Sequence, residues 1–454
     1  MLLTFSVENF RSFYSEETLN LIPGKSRIHP DHVLKDEHQG RAVSALPLAM
    51  LYGANASGKS NLIQAMAFAK KLIVQGTRGE ETIGVVPFRL NPVAAGENSR
   101  FEFVIKHDGV IYTYGFATDA RQVKEEWLFA VYQKQETRLF ERITENGAAR
   151  VEVGARLASG KVEKQRLQFV AAGTRPNQLF LTEANERNVD ALKPIMRWFR
   201  DHLHIIGPDD EYKPLILRVH GDKQFTDWLS SFLTAADTGV RGIDLHSEKL
   251  DENRFLEGIP NDLKQVLFDA MERSPGRSVV VSAGRSFFAL RQKQDKTTVL
   301  SLRTKHQGAN GEFIAFDTSD ESDGTHRLMH LAPALLDLQS SNDVYVVDEL
   351  DRSLHPLLCR LYLETFLRGV TEFKTQGQMI LTTHEASLLD LDLLRRDEIW
   401  FVEKDPNGAS HLATLAEFSV REDLKINKGY LNGRFGAIPF LGNTDRLFSV
   451  DGNQ

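Results

Sequence analysis

The stretch YGANASGKSN, residues 52–61, constrains this chain more than any other. From Gly53 it reads G-A-N-A-S-G-K-S and fits G-x-x-x-x-G-K-[ST] at every fixed position. That pattern describes a loop whose backbone N–H groups wrap phosphate oxygens, with Lys59 facing the terminal phosphates and the Ser60 hydroxyl placed for Mg²⁺. The motif has meaning only between a buried strand and a helix. Upstream, LPLAMLY (46–52) is a short apolar run suited to a fully buried strand. Downstream, Leu62, Met66 and Ala69 recur at i, i+4 and i+7 beside Ile63, the spacing of an amphipathic helix. This order aims a helix N-terminus, with its unpaired N–H groups and positive dipole end, at phosphate. An ordinary Gly/Ser turn would not require eight positions in register with both flanks correct. The sequence therefore predicts a nucleoside triphosphate site on Gly53, Asn55, Ala56, Ser57, Gly58, Lys59, Ser60 and Asn61.

Such a loop needs a carboxylate for Mg²⁺ at the end of a neighbouring buried strand. DVYVVDEL (343–350) supplies it, because Val344–Val347 would deliver Asp348 and Glu349 at a strand's C-terminal end. Asp348 is placed to bind magnesium and Glu349 to polarise an attacking water as general base. QMILTTHEA (378–386) is a second apolar strand with His384 just past it, where a histidine can donate to a γ-phosphate. Between the two magnesium elements lies ESDGTHRLMHLAPALLDL, from Glu321. There Ser322 and Gly324 precede a helix with Leu328, Leu331, Leu335 and Leu338 on one face, and Pro333 should bend it or limit its first segment. A Ser-x-Gly turn at a helix N-terminus is either an anion site or a plain N-cap. His326 and His330 lie at i, i+4 but lack the H-E-x-x-H context of a zinc site, so they read as packed or solvated side chains.

Composition narrows the class. The 454 residues allow two or three structural units. Lys plus Arg is 55 against 62 for Asp plus Glu, a net charge of −7, which does not suggest a dedicated nucleic-acid coat. Cys359 is the only cysteine, which excludes a disulfide scaffold or a cysteine-based zinc site within one chain. No apolar run approaches the ~20 residues of a membrane span, and MLLTFSVENFRSF carries polar residues too early for a signal peptide. A cytoplasmic setting without membrane partners is expected. Three regions are expected: residues 1–155 as an N-terminal lobe with the loop and β hairpins; 156–285 as a mainly helical insertion; 286–454 as a C-terminal lobe. The hairpin signals are Asp108-Gly109 within FEFVIKHDGVIYTYGFAT and the segment from Trp127.

The order ENFRSF, P-loop, long insertion, Ser-x-Gly helix, DE strand and histidine strand resembles the ABC-type ATPase heads of the RecF, SMC and OLD group. DRSLHPLL from Asp351 is similar to the D-loop region of that group, and KGYLNGRFGAIPFL from Lys428 resembles the RloA/AbiLi and AriA type of bacterial phage-defence ATPases. The resemblance covers both ends of the chain well and the middle poorly. It implies an α/β P-loop NTPase of ABC-ATPase head type, with ATP and Mg²⁺ as cofactors. It adds Arg11 of ENFRSF to the nucleotide-binding set, and it implies that Ser322 and Gly324 cap the nucleotide of a partner subunit in a head-to-head homo-oligomer. The signature reads ESDGT where a transporter cassette has LSGGQ.

OLD proteins continue into a Toprim nuclease. Here about seventy residues follow His384, without a Glu…Asp-x-Asp set, so the chain is not expected to cut nucleic acid itself. By resemblance its partners are a separately encoded effector, Toprim-like or another nuclease or toxin, and a phage-encoded trigger. The leading expectation is an ATP-hydrolysing sensor and scaffold of an abortive-infection system. The alternatives are a RecF-like repair or recombination ATPase that binds DNA directly, and a nucleotide-gated interaction protein with negligible turnover.

Overall fold

The computed structural model describes residues 1–38, 41–132, 135–158, 160–249, 278–283, 286–293, 296–418 and 426–438. Two compact units divide the chain: one holds Met1–Ile205, Asn342–Glu349 and Lys374–Gln454, the other Ile206–Ser341 and Leu350–Phe373.

In the first unit, LAMLY forms the strand Leu48–Tyr52, and all five side chains are buried. An unbroken apolar run is what a strand covered on both faces requires. Gln378–Thr382 and Ile399–Lys404 flank it, both parallel, and Val344–Val347 runs parallel to Gln378–Thr382. Leu203–Ile206 and the antiparallel Ser410–Thr414 complete a six-stranded sheet at its edges. Register decides what this sheet displays. Val347 pairs with Leu381, and Leu381 with Met50. The residues following Val347, Thr382 and Tyr52 therefore leave the sheet along one edge.

A seven-stranded antiparallel sheet belongs to the same unit, in the order 148–153, 136–145, 123–131, 110–118, 99–107, 2–8, 17–20. Its strands Ser99–His107 and Val110–Thr118 turn at Asp108-Gly109, both with positive φ, and Val123–Val131 pairs with Glu136–Glu145. Both hairpins lie where the sequence signals placed them. The helix Lys59–Gln75 packs Leu62, Ile63, Met66, Ala69 and Ile73 into one core with Phe5, Phe101 and Phe103 of the antiparallel sheet and Leu51, Val344 and Ile380 of the parallel sheet. The Leu, Ile and Met side chains among them each resist truncation to Ala by roughly 2–5 kcal/mol. Packing against residues of both sheets holds the helix that carries Lys59 and Ser60.

The second unit sets helices Leu215–Gly221 and Lys223–Ala235 with an antiparallel sheet of Val240–Lys249, Lys296–Gln307, Ser286–Lys293 and Ser278–Ala283, to which Phe313–Asp317 adds beside Lys296–Gln307. The Asp222 carboxylate accepts from Phe225 N at 2.9 Å and caps the longer helix, which buries Phe225, Leu229, Phe232 and Leu233. The stretch 156–285, read as mainly helical, is rich in helix up to Ala235 and then turns to strand. Val240–Lys249 ends in the polar HSEK and pairs with Lys296–Gln307 in continuous register from Gly242 on. Residues 250–277 of that stretch, and the end of KGYLNGRFGAIPFL from Pro439, lie outside the described residues. Helix Asp323–Asp337 runs on through Pro333, which does not end it. Among the described residues no helix is long and apolar enough to cross a membrane.

Candidate functional site

The phosphate-type loop occupies the exit edge of the parallel sheet, between Tyr52 and the first residue of helix Lys59–Gln75. Two of its residues hold positive φ: Ala56 at 61° and Gly58 at 119°. For alanine that conformation costs about 1–2 kcal/mol and persists only where its surroundings enforce it. Gly53 has no room for a side chain, because a Cβ would run into the Val402 carbonyl of the next strand and the Ser57 hydroxyl. The buried Lys59 ammonium folds back over the loop and donates to the carbonyls of Gly53 (2.7 Å) and Ala54 (3.1 Å). Among the described residues the buried Ser57 hydroxyl has no hydrogen-bond partner. A buried hydroxyl left without a partner in such a loop is free to donate to an oxygen brought there.

Asp348 and Glu349 follow Val344–Val347 as the sequence predicts. Asp348 is buried, and its Oδ1 accepts from Ser60 Oγ at 3.1 Å and from Thr382 Oγ1 at 2.6 Å. Thr382 Oγ1 in turn accepts from Glu349 N at 2.7 Å. One chain of hydrogen bonds thus runs from the loop serine through Asp348 and Thr382 to the Glu349 backbone. Glu349 is partly exposed and holds φ 52°, a second strained backbone at this edge. His384 is exposed, two residues beyond Thr382, and Thr383 N donates to Leu51 O at 3.1 Å, fastening this segment to the loop's own strand.

The ENFRSF segment reaches the same place. Asn61 Nδ2 donates to Ser12 Oγ at 2.8 Å, Ser410 N to Ser12 O at 2.7 Å, and Ser410 Oγ to Ser57 O at 2.6 Å. Arg11 is exposed with φ 52° and lines, with Ser12, Asn61, Arg89 and Lys404, an open cleft of about 500 Å³. Three cations around one cleft beside the loop suit a polyanion. Thr382, Ser12 and Ser410 escaped the sequence reading. Thr382 and Ser12 stand inside motifs already singled out; Ser410 carries no signal at all.

Ser322 and Gly324 belong to the second unit. Ser322 caps helix Asp323–Asp337, its Oγ accepting from Thr325 N at 3.2 Å. A Cβ on Gly324 would stand 2.8 Å from the Ser353 carbonyl, which sets the DRSLHPLL turn against this helix start. His326 and His330 are buried structural groups: His326 Nε2 bonds to the Thr318 carbonyl, and Tyr212 N donates to His330 Nδ1 at 3.0 Å. Burial pushes the His330 imidazole down to about 3, with His326 and Arg327 adding to the effect, so the ring is neutral.

The first unit therefore presents the buried Ser57 hydroxyl and the Lys59 ammonium at a glycine-rich loop, groups suited to phosphate. Beside them, the Ser60 hydroxyl and Asp348 carboxylate are oxygen donors suited to a hard divalent cation. A search of the curated proteins finds no match to the chain. The family model AAA_21, described as "AAA domain, putative AbiEii toxin, Type IV TA system", matches residues 48–390. That span opens on the first residue of the loop's strand and takes in Asp348, Glu349 and His384. With well over half of the chain matched, and with the P-loop fold behind it, the chain belongs to this AAA-domain family of P-loop ATPases associated with abortive-infection and toxin–antitoxin systems.

Proposed function

We propose that the protein is a Mg²⁺-dependent ATPase of ABC-head type, related to the RloA/AbiLi and AriA defence ATPases. Its nucleotide cycle controls a separately encoded effector in an abortive-infection system. The observation that carries the catalytic part is the chain Ser60–Asp348–Thr382–Glu349. It couples the cation-binding end of the loop to the backbone of the residue assigned as base. Lys59 leaves the Gly53 and Ala54 carbonyls to face the β- and γ-phosphates, and the loop N–H groups with Ser57 Oγ hold phosphate oxygens. Ser60 and Asp348 hold Mg²⁺, which neutralises phosphate charge when bound. Glu349 accepts a proton from the attacking water, and His384 donates a hydrogen bond to the γ-phosphate. Arg11 and its neighbouring cations bind the rest of the polyanion. The same resemblance assigns Ser322 and Gly324, at the N-terminus of a fifteen-residue helix, to the nucleotide of a second copy in a head-to-head dimer.

Mixing two inactive variants tests the shared site. Ser322→Arg and Lys59→Ala each lose ATPase activity alone. A mixed dimer regains one intact site, because one nucleotide receives both sound halves and the other both lesions. ATPase rate against mole fraction, with subunit exchange shown separately, should rise to a maximum near equal proportions. A flat profile with proven exchange would remove the head-to-head assembly and the role of the ESDGT turn.

A further inference from the structure

The turn His29-Pro30-Asp31-His32 gathers metal-ligand chemistry that the nucleotide site does not use. One ligand atom from each of His29, Asp31 and His32 lies within 4.8 Å of the other two. The turn closes through His32 N donating to His29 O at 3.1 Å, with Pro30 at the position where its fixed φ suits a turn. The two imidazoles stack, ring centroids 4.7 Å apart and 20° between planes.

Each ring already has one nitrogen committed to an acceptor. His29 Nε2 lies 2.9 Å from the Leu391 carbonyl, which only accepts, so the proton sits on Nε2 and Nδ1 keeps its lone pair in the neutral ring. His32 Nδ1 lies 3.2 Å from Oε2 of the fully buried Glu398, which leaves Nε2 with the lone pair when that carboxylate is ionised. A backbone carbonyl behind one imidazole and a carboxylate behind the other is the outer shell that orients metal-binding histidines. Asp31 is exposed and adds a carboxylate.

The turn is also anchored. The Arg395 guanidinium donates to the carbonyls of His29 (3.2 Å) and Gly24 (3.1 Å) while paired with Asp397 at 2.8 Å, and Gly24 N donates to Asp397 Oδ2 at 2.8 Å. Arg395–Glu398 lead directly into strand Ile399–Lys404, which runs parallel to Leu48–Tyr52. Glu398 therefore lies toward the end of the sheet opposite the phosphate-type loop.

We propose that His29, Asp31 and His32 bind a borderline divalent transition metal, Zn²⁺ in the first instance, with a fourth position left to water. Two imidazoles and one carboxylate suit zinc; Mg²⁺ takes oxygen ligands, and no thiolate is present to favour Cu(I). The metal fixes the turn His29–His32, whose imidazoles bond to Leu391 O and Glu398 of the segment entering Ile399–Lys404, and it is distinct from the cation at the nucleotide.

The test uses the full-length, tag-free protein, stripped with chelator, dialysed and titrated with Zn²⁺. The readouts are bound metal per chain and thermal midpoint with and without zinc. Wild type should take up one tight equivalent and melt at higher temperature with it. His29→Asn and Asp31→Asn alter groups that are not buried and should fold. Each should weaken binding at least tenfold and lose the shift, whereas His202→Asn, elsewhere in the same unit, should retain both. No tight equivalent in wild type would overturn the site and leave His32–Glu398 as a plain buried hydrogen bond. Unchanged affinity in His29→Asn and Asp31→Asn would overturn it equally.

Discussion

Thr382 is the residue through which the phosphate-type loop and the Glu349 turn share one hydrogen-bond chain. Thr382→Val keeps the shape of the side chain and deletes the hydroxyl. Two bonds go: the one donated to Asp348 Oδ1 at 2.6 Å and the one accepted from Glu349 N at 2.7 Å. Thr382 is fully buried, so water does not replace them. A hydrogen bond to a charged group contributes about 1.5–3 kcal/mol, and a backbone N–H left without a partner costs about 1–3 kcal/mol. Only part of that sum reaches stability, because Asp348 keeps Ser60 as a donor. A loss of about 2–3 kcal/mol follows, which lowers the Tm of this unit. Catalysis should suffer separately. Glu349 holds a strained φ of 52°, and releasing its N–H lets the carboxylate drift; a misplacement of ~1 Å costs up to ~100-fold. The assay is steady-state ATPase with kcat and KM resolved. Thr382→Val should lower kcat ~10- to 100-fold with KM for ATP within a few-fold, and Thr382→Ser, which restores the hydroxyl, should recover most of it. If Val turns over like wild type, or Ser fails as badly as Val, the hydroxyl does not position the base.

Gly53→Ala pushes a methyl group into the Val402 carbonyl and the Ser57 hydroxyl. Overpacking of about 1–3 kcal/mol and loss of ATP binding should result, and an alanine variant that binds nucleotide normally in equilibrium titration would show that the loop has slack. His330 is held neutral in the fold, at about 3, against ~6.5 in the unfolded chain. Below about pH 6.5 the unfolded state takes up a proton that the folded state refuses. Stability of the second unit should therefore fall on acidification toward pH 3, with His330 adding at most ~1.4 kcal/mol per pH unit. Urea midpoints of wild type and His330→Asn across that window check the sign, and parallel slopes would remove His330 as the source.

The apolar runs LAMLY, VYVV and QMILT were legible because a strand buried on both faces leaves a continuous signature, and each ends on a polar motif. Lys59, Ser60, Asp348 and Glu349 could be placed on that basis. The threonine joining Asp348 to Glu349 could not, because its position depends on the register that sets Val347 opposite Leu381. Ser410 meets Ser57 from 353 residues away, a contact no local pattern encodes. The strand Val240–Lys249 ends in the polar HSEK and leaves little apolar alternation to read. For Ser322, the sequence left anion site and N-cap both open; the cap hydrogen bond to Thr325 N is what the structure adds.

Glu349 carries the chemistry in this account, so hydrolysis by Glu349→Gln is the decisive quantity. The amide keeps size and hydrogen-bonding capacity and cannot take the proton from water. ATP affinity, measured by equilibrium binding with Mg²⁺, should match wild type within a few-fold. Single-turnover hydrolysis on the same preparation should be slower by ~100-fold or more, the scale of a lost general base. Hydrolysis near the wild-type rate with ATP bound would contradict the assignment of Glu349 and the reading of the Ser60–Asp348–Thr382–Glu349 chain as catalytic.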